Sequence, residues 1–122
     1  MTKKEYNRLI FIHNGVFFSN KLNRILTKEE IQYESIYCNE IISNIKNYQN
    51  DLILIPELLF EIISINVDHS SQSHILDVVV LIKKTGQRKL NSDKLNIVDI
   101  INLNSSDDKI LEIINKHMTN SE

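Results

Sequence analysis

Asp51-Leu52-Ile53-Leu54-Ile55-Pro56-Glu57-Leu58-Leu59 decides the fold. An acidic residue opens an unbroken apolar run, a proline closes it, and the hydrophobic period then changes. A short run that is apolar at consecutive rather than alternate positions suits a strand buried on both faces, as in parallel sheets. Proline is comfortable in the first turn of a helix. Pro56 therefore predicts the end of a strand and the start of a helix carrying Leu58, Leu59, Ile62 and Ile63. A buried parallel strand that feeds a helix is part of a βαβ unit, so the flanking sequence must supply the neighbouring strands.

Towards the amino terminus, Leu9-Ile10-Phe11-Ile12 is a second run of the same kind, ended by the turn signal His13-Asn14-Gly15. The residues before it, MTKKEYN, read as a polar lead-in. Phe18, Leu22, Ile25 and Leu26 then fall at helical spacing, with Lys21, Asn23, Arg24 and Lys28 off that face. Tyr33 to Cys38 reads as a strand with weak alternation. Asn39 is placed to cap the helix that follows, Glu40 suits its positive end, and Ile41, Ile42, Ile45 and Tyr48 form its stripe.

Towards the carboxyl terminus, Asp68 to Ser73 is a polar loop and Ile75 to Ile82 a strand rich in β-branched residues. Lys83 to Asn96 is polar and basic, with only Leu90 and Leu95 as apolar anchors. Ile97 to Ile101 reads as a fifth strand. Ser105 and Asp108 stand at capping-box spacing before a last helix. Its inner stripe is Ile110, Leu111, Ile114 and Met118, and Lys116 and His117 complement its negative end. Strands alternating with helices predict an α/β fold, with an open, doubly wound, parallel sheet and helices on both faces.

Composition bounds the function. The chain has 122 residues and a formal net charge of −2; 42% are hydrophobic and 25% charged. That describes one globular domain, residues 1–122, and disfavours intrinsic disorder and a strongly basic nucleic-acid binder. No apolar run approaches the roughly 20 residues of a membrane-spanning helix. One cysteine cannot make an internal disulfide or a cysteine-rich zinc site, and together with no recognised signal peptide it points to the cytoplasm. Two glycines and one proline leave little for a phosphate-cradling loop.

In element order and spacing the chain resembles a bacterial response-regulator receiver domain over roughly residues 7 to 118. Asp51 to Ile55 looks like the third strand of receivers, Asp77 to Ile82 like the fourth, and Val98 to Ile101 with Ser105 to Leu111 like the fifth strand and last helix. The resemblance implies a flavodoxin-like fold, and the sheet is expected to hold five strands in the order 2-1-3-4-5. The family's chemistry does not carry over. Where receivers hold Mg²⁺ with two acids after the first strand, this chain has His13 and Asn14; the phosphoacceptor position reads Pro56. The hydroxyl position after the fourth strand reads Ile82, and the lysine position after the fifth aligns with Leu103, next to Asn104. Mg²⁺ wants hard oxygen ligands, proline has no nucleophilic oxygen, and isoleucine and leucine cannot neutralise a phosphoryl group. A receiver degenerate at its phosphorylation site is the resulting expectation, with no Mg-dependent phosphoryl transfer.

Other candidates carry less. His13 could be a general base or ligand at the strand end, or simply a hydrogen-bonded histidine there. Cys38 has no electropositive neighbour in sequence to activate its thiol. His69 and His74 flank the polar loop beside Asp68 without a recognised zinc spacing. No GxGxxG, Walker-type, paired-cysteine or Gly-x-Ser-x-Gly motif occurs, so no catalytic constellation and no cofactor are expected. Lys83, Lys84, Arg88, Lys89 and Lys94 gather positive charge, and Asp107, Asp108 and Glu112 negative charge on the following helix. These predict an interaction surface from Lys83 to His117, for a protein partner or a second copy. The alternative is a small-ligand-binding or enzymatic domain using the crevice of His13, Asn14 and Lys83.

Overall fold

A computed structural model describes residues 6–14, 20–68, 75–83, 92 and 94–118. The strands are β1 (Leu9–His13), β2 (Glu34–Tyr37), β3 (Leu52–Pro56), β4 (Leu76–Ile82) and β5 (Leu95–Asn102). They form one sheet in the order β2-β1-β3-β4-β5, and every pair is parallel. The helices are α1 (Asn20–Lys28), α2 (Cys38–Ser43), α3 (Glu57–Asp68) and α4 (Asp107–Met118), with a 3₁₀ turn at Ile45–Tyr48. The expected fold class and strand order are both found.

Strand alternation splits the apolar runs between two cores. Ile10, Ile12, Ile53, Ile55, Val78 and Val80 pack on one face with Ile41 and Ile45 and with Leu59, Phe60, Ile63 and Val67 of α3. Leu9, Phe11, Leu52, Leu54, Val79 and Leu81 pack on the other with Leu22, Ile25 and Leu26 of α1 and Ile110 and Ile114 of α4. Consecutive strand residues are apolar because each face has its own helical cover.

A bulge in β5 explains how its pattern serves both cores. Val78 pairs with Ile97, but Val79 pairs with Asp99, so Val98 is an extra residue. Leu95 and Ile97 therefore join the first core, while Val98, Ile101 and Leu103 join the second. One inserted residue exchanges the faces of everything after it.

Several boundaries depart from the sequence expectation. Pro56 ends β3 as expected, in register with Leu81, but the helix begins one residue later and does not include it. Cys38 starts α2 instead of ending a strand, so Asn39 lies inside the helix; Tyr37 precedes it in extended conformation without a side-chain cap. The stripe foreseen after Asn39 breaks at Asn44 into the 3₁₀ turn. Leu95 opens β5 and is not an anchor of the preceding segment. Ser106, not Ser105, caps α4: its Oγ accepts from the Lys109 N–H at 3.2 Å. Asp108 therefore completes no capping box, and the position that would, three residues after the cap, is occupied by a lysine. Phe18, assigned to the α1 stripe, lies outside the described residues, as do Leu90 and most of the β4–β5 connection.

The end of α1 has a cost. Glu30 N donates to Thr27 O and Ile31 N to Leu26 O, a Schellman closure that puts Glu30 at φ 58°. That is left-handed backbone, where glycine is favoured.

Candidate functional site

In open α/β sheets, ligands bind at the carboxyl ends of the strands. His13, Tyr37, Pro56 and Ile82 end β1, β2, β3 and β4, while Leu103 and Asn104 follow β5. The middle of this edge is packed, while Tyr37 and Asn104 at its flanks are exposed. Pro56 and Leu103 are buried, and Ile82 is half-buried against the α2–α3 core. The Leu103 N–H donates to Ile82 O at 2.7 Å, and the Asn104 side-chain amide donates to Lys83 O. These contacts draw the ends of β4 and β5 together.

His13 is half-buried, with its ring 4.6 Å from that of Tyr37 and tilted by 52°. Register explains the contact, because His13 and Tyr37 are partners in the β1–β2 ladder. Asn14 and Lys83 are exposed. The imidazole is the single ring-nitrogen base among the described residues at this edge. The acceptor, hydroxyl and lysine positions of the resemblance offer no side-chain oxygen or cationic nitrogen at Pro56, Ile82 and Leu103. Cys38 is half-buried, outside any disulfide, and packed against the first core.

Sequence reasoning missed the polar chemistry at the opposite, amino-terminal edge. Asp51, just before β3, is 2% exposed, and Arg8 Nη2 lies 2.7 Å from its Oδ2. Arg8 also reaches Glu34 at 3.2 Å and the Asn47 carbonyl at 3.4 Å, and its guanidinium lies 5.5 Å from the Tyr48 ring centroid. The Asp51 hydrogen bond holds the Arg8 pKa above its ordinary value. Beside this cluster, Tyr6 donates to Asp77 Oδ2 at 2.9 Å and Asn96 Nδ2 to Asp77 Oδ1 at 3.1 Å. Burial, and then the Asp77 bond, push the Tyr6 phenol well above its usual range. The Tyr48 hydroxyl donates to Glu40 at 3.2 Å, and burial again raises that phenol. The available signal was the acid at the head of two otherwise apolar runs, which demands a partner once buried.

The proposed interaction face is only partly described. Lys84, Arg88 and Lys89 lie outside the described residues, as do His69 and His74. Lys83, Asp108 and Glu112 are exposed and Lys94 is half-buried. Asp107 is held within the chain: Arg24 Nη1 approaches it to 3.1 Å and Lys21 Nζ to 4.0 Å, tying α1 to α4. At the other end of α4, His117 Nε2 and Lys116 Nζ lie 2.9 and 3.0 Å from Asp99 Oδ2. Burial works against the Asp99 carboxylate, but the bonds from His117, Lys116 and the Ile100 N–H prevail and lower its pKa.

Among the described residues, no group of three His, Cys, Asp or Glu side chains gathers as metal ligands would. No described helix is long and apolar enough to cross a membrane. Comparison with protein-family models, curated proteins and solved structures gave no match.

Proposed function

We propose that this chain is a receiver-like interaction domain of bacterial signalling that works in the cytoplasm without phosphorylation. It acts through protein contacts and not through bond chemistry. The observation that carries this reading is the carboxyl edge of the sheet. The resemblance would set two acids, an acceptor aspartate, a hydroxyl and a lysine there; this chain sets His13, Asn14, Pro56, Ile82 and Leu103. Pro56 and Leu103 are buried, so they do not present a reactive surface. An acyl phosphate needs a nucleophilic carboxylate, and Mg²⁺ needs hard oxygen ligands.

Contacts are assigned to the face from Lys83 to His117. Exposed Lys83 and the acids Asp108 and Glu112 give it charges of both signs, as an isologous pair of copies requires. Intact-mass measurement after incubation with Mg²⁺ and a small phosphodonor tests the chemical half of the proposal. The mass should not change. A stoichiometric phosphoryl adduct would overturn it.

A further inference from the structure

The outer surface of α3 is unlike that of the other helices. Leu58, Ile62 and Ile65 are 71%, 52% and 54% exposed, while Leu59, Phe60, Ile63 and Val67 of the same helix are buried. Their spacing of i, i+4 and i+7 lines them into one stripe. By contrast, the exposed residues of α4 are Asp108, Lys109, Glu112, Asn115 and Lys116, an ordinary solvated face. Scattered surface hydrophobes need no explanation, but a contiguous aliphatic stripe on the outer face of a helix whose inner face is also apolar marks a surface suited to docking.

The rim of the stripe says what that is. At 100° per residue, Glu61 lies beside Leu58 and Ile65, with Glu57 one turn earlier on the same flank. Asn66 lies on the far flank, beside Ile62. One side of the stripe is thus acidic and the other neutral. A second copy packed antiparallel on α3 would set Glu61 against Glu61, since equal flanks meet in such a pair. The stripe also offers on the order of 300 Å², against about 800 Å² per partner in a standard stable interface. An anionic membrane surface would meet the same acidic flank.

Resting on the interaction-domain reading, we infer that α3 is a second docking surface, for an amphipathic helix of another protein. That helix carries an apolar ridge with lysines or arginines along the flank that meets Glu57 and Glu61. The ridge packs between Leu58, Ile62 and Ile65, and the basic flank sets its direction and register.

The test titrates the isotope-labelled full chain with three synthetic amphipathic helices that share one leucine ridge and differ in flank: lysine, glutamine or glutamate. The lysine-flanked peptide should bind about ten-fold more tightly than the glutamate-flanked one, and less tightly as salt rises. Its amide shifts should centre on Leu58, Ile62 and Ile65. Ile62→Glu, at an exposed position, should melt with the parent chain and lose about ten-fold or more in affinity. Equal binding of all three peptides, no shift on α3, or co-sedimentation with anionic vesicles that Ile62→Glu abolishes would overturn the inference. So would self-association abolished by Ile62→Glu, because the occupant would then be a second copy. Peptide shifts confined to β5 and α4 would remove the α3 site while leaving the interaction role of the domain standing.

Discussion

Arg8 reaches across the amino-terminal edge of the sheet to Asp51, with Nη2 2.7 Å from a carboxylate oxygen that is almost wholly buried. The two residues stand just before β1 and β3, which are neighbours in the sheet, so the pair clasps the strands where they start. A buried carboxylate without its cation is costly, and a neutral amide in the same place costs less.

Arg8→Met is therefore expected to cost about 2 kcal/mol of unfolding free energy, less than a fully buried pair because Arg8 keeps much of its hydration. Asp51→Asn in the Arg8→Met background should restore part of the loss. Urea unfolding of the two single variants and the double variant measures the coupling. Equal losses that simply add would show that the clasp is not a pair.

Tyr6 and Tyr48 both have phenol pKa values raised above the ordinary 10.0. A group whose folded pKa is raised contributes stability that is fully present below its unfolded pKa and lost as pH rises through the folded one. The chain should therefore lose stability above about pH 10. Tyr6→Phe should flatten that alkaline limb and cost about 1 kcal/mol at neutral pH, since Asp77 keeps its bond from Asn96. Denaturant midpoints between neutral and alkaline pH decide this.

Asp99 has the opposite sign. Its folded pKa is lowered from 3.8, so its contribution is present above that value and is lost as pH falls through the folded one. Asp99→Asn should weaken the docking of the last turn of α4 at neutral pH by about 1 kcal/mol and make the acid limb shallower. Amide exchange at Lys116 and His117 should rise in that variant, and unchanged protection would contradict the latch.

Glu30 closes α1 in left-handed backbone, where a side chain is a burden. Glu30→Gly should stabilise the chain by about 0.5 kcal/mol, read as a higher thermal midpoint. A decrease would mean that the Glu30 side chain earns its place through contacts elsewhere.

What the sequence could and could not reveal follows from the range of each interaction. Strand identity was legible because runs such as Leu52 to Ile55 are apolar at every position, a pattern with few homes outside a parallel sheet, and the strand order was implied by the resemblance. Caps and boundaries were less legible. Pro56 suits the end of a strand as well as the start of a helix, and Ser105 and Ser106 are adjacent candidates that only backbone geometry separates. The β5 bulge left no local mark, because Val98 fits either core. The Arg8–Asp51 and Tyr6–Asp77 bonds join residues 43 and 71 positions apart, beyond the reach of any periodicity. The outer stripe of α3 was visible as apolar residues, but its exposure depends on which helix face meets the sheet.

The most direct measurement of an interaction domain that needs no phosphorylation is light scattering of the purified chain across ionic strength, with and without Mg²⁺ and a small phosphodonor. Exposed charges attract over about 10 Å at about 0.1 M salt and over about 3 Å at about 1 M, so association through the Lys83–His117 face should fall as salt rises. Arg88→Glu with Lys89→Glu should abolish it. The expected result is salt-sensitive self-association, unchanged by the phosphodonor and lost in the double reversal. A chain that stays monomeric at every salt concentration and whose partner binding survives the double reversal, or one that associates only after phosphodonor treatment, would contradict it.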